Sequence, residues 1–179
     1  MPTIRWAAAA ALSFLSSLAQ SHVVLADSAA LAGTSYRATF RVGHGCDGSP
    51  TTGIQVAIPI GLQGAKPMPK PGWSITTRTA KLDKPYDDHG RQVTEDVAEI
   101  TWTAVSKDAW LPDDWYDEFI LRGGLPAQAG PMWFKVSQTC AKGSKLWTEV
   151  PATGTSTKGL KTPAALLEII ESGSAAHHH

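Results

Sequence analysis

The sequence predicts an all-β fold, a two-sheet β-sandwich of cupredoxin or immunoglobulin-like type with one disulfide. Three observations carry this expectation. Apolar side chains recur at every second position in one segment after another. Gly, Pro and Asp clusters punctuate these segments. No convincing 3.6-residue apolar period appears after residue 21. About seven or eight strands at roughly 12–15-residue spacing suit two packed sheets, with a closed barrel as the structural alternative.

Residues 1–21 read as a secretory signal peptide. Arg5 supplies the charged start, Ala7 to Leu18 the apolar middle, and Ala19-Gln20-Ser21 the small residues of a cleavage site. Residues 22–170 form the sandwich domain. Tyr36, Ala38, Phe40 and Val42 alternate with Arg37, Thr39 and Arg41, and Ile54, Val56, Ile58 and Ile60 alternate next. Pro59, on the opposite phase, suggests a strand end or an edge. Residues 62–72, with Pro67, Pro69 and Pro71, read as a stiff loop, and Trp73 to Thr79 as a strand. Residues 83–92 read as a polar hairpin connection, followed by the alternation of Ala98, Ile100, Trp102 and Ala104.

Trp110 to Tyr116 reads as a turn. In the next strand Trp115, Asp117, Phe119 and Leu121 share one face, and Tyr116, Glu118 and Ile120 the other. Met132, Phe134 and Val136 lead to Cys140, residues 141–144 make a tight hairpin, and Lys145 to Val150 returns beside it. Residues 152–162 are a Thr/Ser/Gly-rich loop. Ala164 to Ile170 fits either a short helix after Pro163 or a terminal strand. Residues 171–179 are a disordered-type tail ending in His177, His178 and His179, which suit weak, nonspecific metal pickup.

Cleavage after Ser21 leaves 179 − 21 = 158 residues, enough for one domain with a real core. Arg5 is lost, so 15 Lys and Arg face 16 Asp and Glu, a formal net charge of −1. A basic footprint is missing, which argues against nucleic-acid binding. No run of about 20 apolar residues follows residue 21, so no stable membrane insertion is expected after cleavage. The setting is periplasmic or secreted. In an exported chain the pair Cys46 and Cys140 most simply forms a disulfide closing about 94 residues, worth roughly 4 kcal/mol. A thiolate copper site is the competing reading, and no Met cluster supports it.

Cleavage would make His22 the N-terminal residue. Its α-amine and imidazole Nδ1 then close a chelate ring that suits Cu(II). The amine has an ordinary pKa of about 7.7–8.0, so copper displaces its proton near neutrality. With cleavage elsewhere, His22 would be incidental. The turn Gly43-His44-Gly45-Cys46-Asp47 places a further His and Asp beside a cysteine. A bridge to Cys140 would bring both near Trp147; the alternative is an ordinary Gly-rich turn capped by Asp47. On the alternation, Trp147 and Glu149 oppose Leu146, Thr148 and Val150, so the indole either covers a pocket or fills the sheet interface. His89 reads as an exposed turn residue. Asp113, Asp114, Asp117 and Glu118 read as a solvated turn rather than a Ca²⁺ or acid–base site. Hydrolase, zincin, phosphate-loop and dinucleotide motifs are all missing, which lowers the expectation of an enzyme.

These residues also resemble a known family. The stretches His22-Val23-Val24-Leu25, Tyr36 through Cys46, and Ala65 through Trp73 are similar to the YcnI-like family of exported bacterial copper-binding proteins. So are Asp117-Glu118-Phe119, Leu125-Pro126, Trp133 through Cys140, and Trp147 through Pro151. The resemblance covers nearly the whole mature chain. It implies a cupredoxin/immunoglobulin-like sandwich and a copper chaperone role outside the cytoplasm. It also implies copper held by the amine and imidazole of an N-terminal His, matched by His22, with a Trp close by, matched by Trp147. The family's assisting Glu has no counterpart, so the third donor is Asp47 or His44.

The leading expectation is therefore a Cu(II) chaperone or copper-homeostasis factor, not an enzyme. It would work with copper-donating or copper-receiving exported or membrane proteins. A copper oxidase or monooxygenase with a histidine brace, using His44 or His89, is a second reading. A metal-free interaction module is a third.

Overall fold

Side chains that alternate in sequence face opposite ways in a strand, and the computed structural model, which describes residues 22–171, sorts them accordingly. Its strands are β1 (Val24–Leu25), β2 (Ala29–Leu31), β3 (Ser35–Val42), β4 (Thr51–Ala57), β5 (Gln63–Pro67), β6 (Trp73–Asp88), β7 (Arg91–Ala104), β8 (Asp117–Gly124), β9 (Gly130–Cys140), β10 (Ser144–Trp147) and β11 (Ala165–Ile170). One sheet has four strands in the order β1-β3-β8-β5. The other has seven, β2-β11-β9-β4-β7-β6, with β10 also paired to β9. Every pairing is antiparallel except β2 with β11. The protein is an all-β, two-sheet sandwich, as its alternation predicts.

The inward faces meet in one core. Phe40 and Phe119 from the first sheet pack with Ile54, Val56, Ile100, Trp102, Phe134, Val136 and Leu167 from the second, all fully buried. Phe40 meets Phe134 edge-on at 5.4 Å, and Phe119 meets Trp102 at 5.9 Å. Such pairs add to the stabilisation from burial alone. Cys46 and Cys140 form a disulfide with Cα atoms 5.9 Å apart. Among the described residues no helix is long and apolar enough to cross a membrane.

Several boundaries differ from the sequence expectation. The Pro-rich stretch 62–72 contains β5, whose Pro67 is tolerated because β5 pairs only with β8, at a sheet edge. Strand β4 stops at Ala57, and Ile60 is 97% exposed, because Pro59 cannot extend the ladder. The polar segment 83–92 continues the β6–β7 hairpin to a two-residue turn at His89 and Gly90, with φ of 53° and 82°. These are the paired positive values of a type I′ turn. Ala165–Ile170 is a strand. The segment 1–21, read above as a signal peptide, and the tail histidines lie outside the described residues.

Candidate functional site

The β1–β3 register pairs Val24 with Arg41 and Leu25 with Phe40. Two residues further along the same register His22 comes alongside Gly43, next to His44. Strand β3 ends at Val42, and the chain turns back through Cys46 and Ser49, which exchange both backbone hydrogen bonds at 2.9 and 3.0 Å. Asp47 and Gly48 have φ of 51° and 85°, so this too is a tight turn of the I′ kind. Gly45 has no room for a side chain: a Cβ there would lie 1.9 Å from the Ser49 carbonyl oxygen. Its N–H donates to Asp113 Oδ1 at 2.9 Å, tying the turn to the segment before β8. The disulfide fastens the same turn to the end of β9.

Strand β10 returns along β9 with Lys145 opposite Gln138 and Trp147 opposite Val136. Trp147 is 4% exposed while Leu146 is 55% exposed. The indole therefore faces the core and the leucine faces solvent. The rings of His22 and His44 both lie against this indole, at 5.6 Å and 6.1 Å between centroids, with interplanar angles of 78° and 72°. His22 Nε2 is buried and has no hydrogen-bond partner. His44 Nδ1 donates to the Gly45 carbonyl oxygen, which in the neutral ring puts the lone pair on Nε2.

The structure thus brings His22, His44 and Trp147 together. Asp47 lies at the rim, its side chain 87% exposed, and its carboxylate accepts a hydrogen bond from Lys145 Nζ at 2.8 Å. That bond and the lysine's charge hold the Asp47 carboxyl below its ordinary range. His89 sits at the tip of the β6–β7 hairpin, fully exposed and 3.8 Å from Asp88. Strand register puts that tip beyond the Ala57 end of β4, whereas the His22 cluster is at the Thr51 end. The acidic cluster is dispersed among separate partners: Asp113 holds Gly45, Asp117 pairs with Lys70 at 2.6 Å, and Glu118 pairs with Arg41 at 3.6 Å. Among the described residues no three His, Cys, Asp or Glu side chains converge as a metal cage.

One residue of the cluster escaped the sequence reading. Gln138 is 1% exposed and touches both halves of the cluster. Its Nε2 donates to the His44 carbonyl oxygen at 2.7 Å and to Thr51 Oγ1 at 2.8 Å, and its Oε1 accepts from Trp147 Nε1 at 3.0 Å. The signal was present: Gln138 occupies the inward phase of Met132, Phe134, Val136 and Cys140, where a polar side chain must find partners.

The family model described as "Domain of unknown function (DUF1775)" matches residues 22–169, essentially the whole sandwich. The chain belongs to the DUF1775 family. Among curated proteins nothing matches this DUF1775 domain. A solved structure of an uncharacterized protein from Nocardia farcinica, described as having an immunoglobulin-like fold, is similar to it with a TM-score of 0.63 and 24% identity. The likeness covers 83% of this chain and 97% of that one, and it shows the fold.

Proposed function

We propose that the mature protein begins at His22 and is an exported copper-binding protein, periplasmic or secreted, that carries Cu(II) as cargo rather than using it in catalysis. The observation that carries this reading is the convergence of the His22 and His44 rings on one buried indole at the end of the sandwich. The family match beginning at residue 22 supports the same N-terminus.

In this reading the freed amine and Nδ1 of His22 chelate the ion, and the His44 imidazole supplies a further nitrogen. Nitrogen donors of this kind suit Cu(II). Trp147 walls one side. His44 is the better third donor than Asp47, because its ring lies with His22 against the Trp147 indole, whereas Asp47 sits at the exposed rim paired with Lys145. A site with few protein ligands leaves room for an incoming one, which suits transfer to a copper-receiving exported or membrane protein.

The test is a Cu(II) titration followed by EPR on protein running from His22 to Ser174, beside a matched sample with one extra residue before His22. One ion per chain with a nitrogen-rich spectrum is expected in the first sample, and loss of that binding in the second. Because the amine must release its proton, affinity should fall roughly tenfold per pH unit below about 7.7. Equal binding by both samples, or by neither, overturns the reading.

A further inference from the structure

We infer that Gln138 is the positioning residue of this cluster, fixing His44 and Trp147 in one relation so that both imidazoles meet the indole at set distances. The inference rests on the copper reading for its consequence and on hydrogen-bond geometry for its substance. A carboxamide offers two N–H donors and one acceptor oxygen in a plane. At Gln138 both donors and the oxygen are used, toward His44 O, Thr51 Oγ1 and Trp147 Nε1. The reversed amide would set oxygen against the His44 carbonyl and N–H against the indole N–H. The three partners therefore fix the amide orientation, and the amide in turn fixes them.

No similar residue type does the same work. Leu fills the space without bonds. Glu keeps an acceptor for Trp147 and has no donor for the His44 carbonyl. Asn is one methylene short. The partners come from three separated segments: the turn after β3, the start of β4, and β10. The disulfide holds the same turn two residues beyond His44, to a cysteine two residues beyond Gln138. It sets the distance between the segments, and Gln138 sets their orientation. Outer partners of this kind typically change metal affinity about 10–100-fold when removed.

Gln138→Leu, Gln138→Glu and Thr51→Val test this in the mature chain, with the disulfide intact. In the metal-free protein, Gln138→Leu should shift the Trp147 indole N–H and His44 ring resonances in NMR. Gln138→Glu should leave the indole N–H near its wild-type position and shift His44. With copper, both Gln138 variants should keep one ion per chain, bind it about tenfold more weakly, and give an altered EPR hyperfine pattern. A loss of thermal stability alone would not move that pattern. Unshifted indole and His44 resonances in Gln138→Leu overturn the inference whatever the copper result. Wild-type affinity and spectrum in both Gln138 variants overturn it too. If the wild type itself binds no copper, the copper reading fails and the NMR comparison still decides the positioning role. Should Gln138→Leu not fold, Thr51→Val decides: a smaller shift at His44 supports the inference, and none refutes it.

Discussion

Gly45 illustrates how much a single position constrains this site. A Cβ added here would lie so close to the Ser49 carbonyl oxygen that any side chain collides with backbone, which cannot swing aside as a flexible side chain would. Gly45→Ala should open the turn between Cys46 and Ser49 and destabilise the fold by about 1–3 kcal/mol, measured by urea unfolding. It should also detach the Asp113 contact and, on the proposed copper reading, weaken Cu(II) binding in the titration described above. Legibility at this scale is uneven. His22, His44 and Trp147 could be singled out from residue type and spacing. The pairing of Asp47 with Lys145 could not, because the two are 98 residues apart and meet only when β10 folds back.

Glu149 fastens one element to another. Its carboxylate accepts from the backbone N–H groups of Lys161 and Thr162, both at 2.7 Å, closing the 152–162 loop just after β10. The Thr162 amide above all, with the Lys161 amide, holds the Glu149 carboxyl below its ordinary range. A carboxyl with a depressed folded pKa stabilises the fold above its unfolded pKa of about 4.3, and the contribution is lost as pH falls through the lower folded value. Hydrogen-exchange protection at Lys161 and Thr162 should therefore be full near pH 6 and decline below about pH 4. In Glu149→Gln it should be flat with pH across that range. The elements themselves were largely visible in alternation: β3, β8 and β9 fall where apolar phase puts them. Strand β5 and the distal β6–β7 hairpin were not, because Pro and charge look the same in a loop as at an exposed sheet edge.

For the whole molecule the Cys46–Cys140 bridge joins the turn after β3 to the end of β9 across 94 residues. A loop of that length is worth roughly 4 kcal/mol in the chain-entropy model. Replacing both cysteines with Ala should lower stability by about that amount in denaturant unfolding. On the proposed copper reading, Cu(II) binding should suffer further, since the turn carrying His44 would lose its covalent tie to β9. If copper binds only the folded state, it should raise the unfolding midpoint of the wild type more than that of the double variant.

The sequence by itself determined the sheet class, the inward phase of β3, β8 and β9, the cysteine pair and the histidines worth testing. These follow from local periodicity and residue chemistry, which do not depend on partners far along the chain. The withdrawal of Asp47 to Lys145 and the three-way hold of Gln138 were decided by tertiary structure alone. Each depends on strand register and on which segments lie side by side, so the local pattern singles out the residue but not its partner.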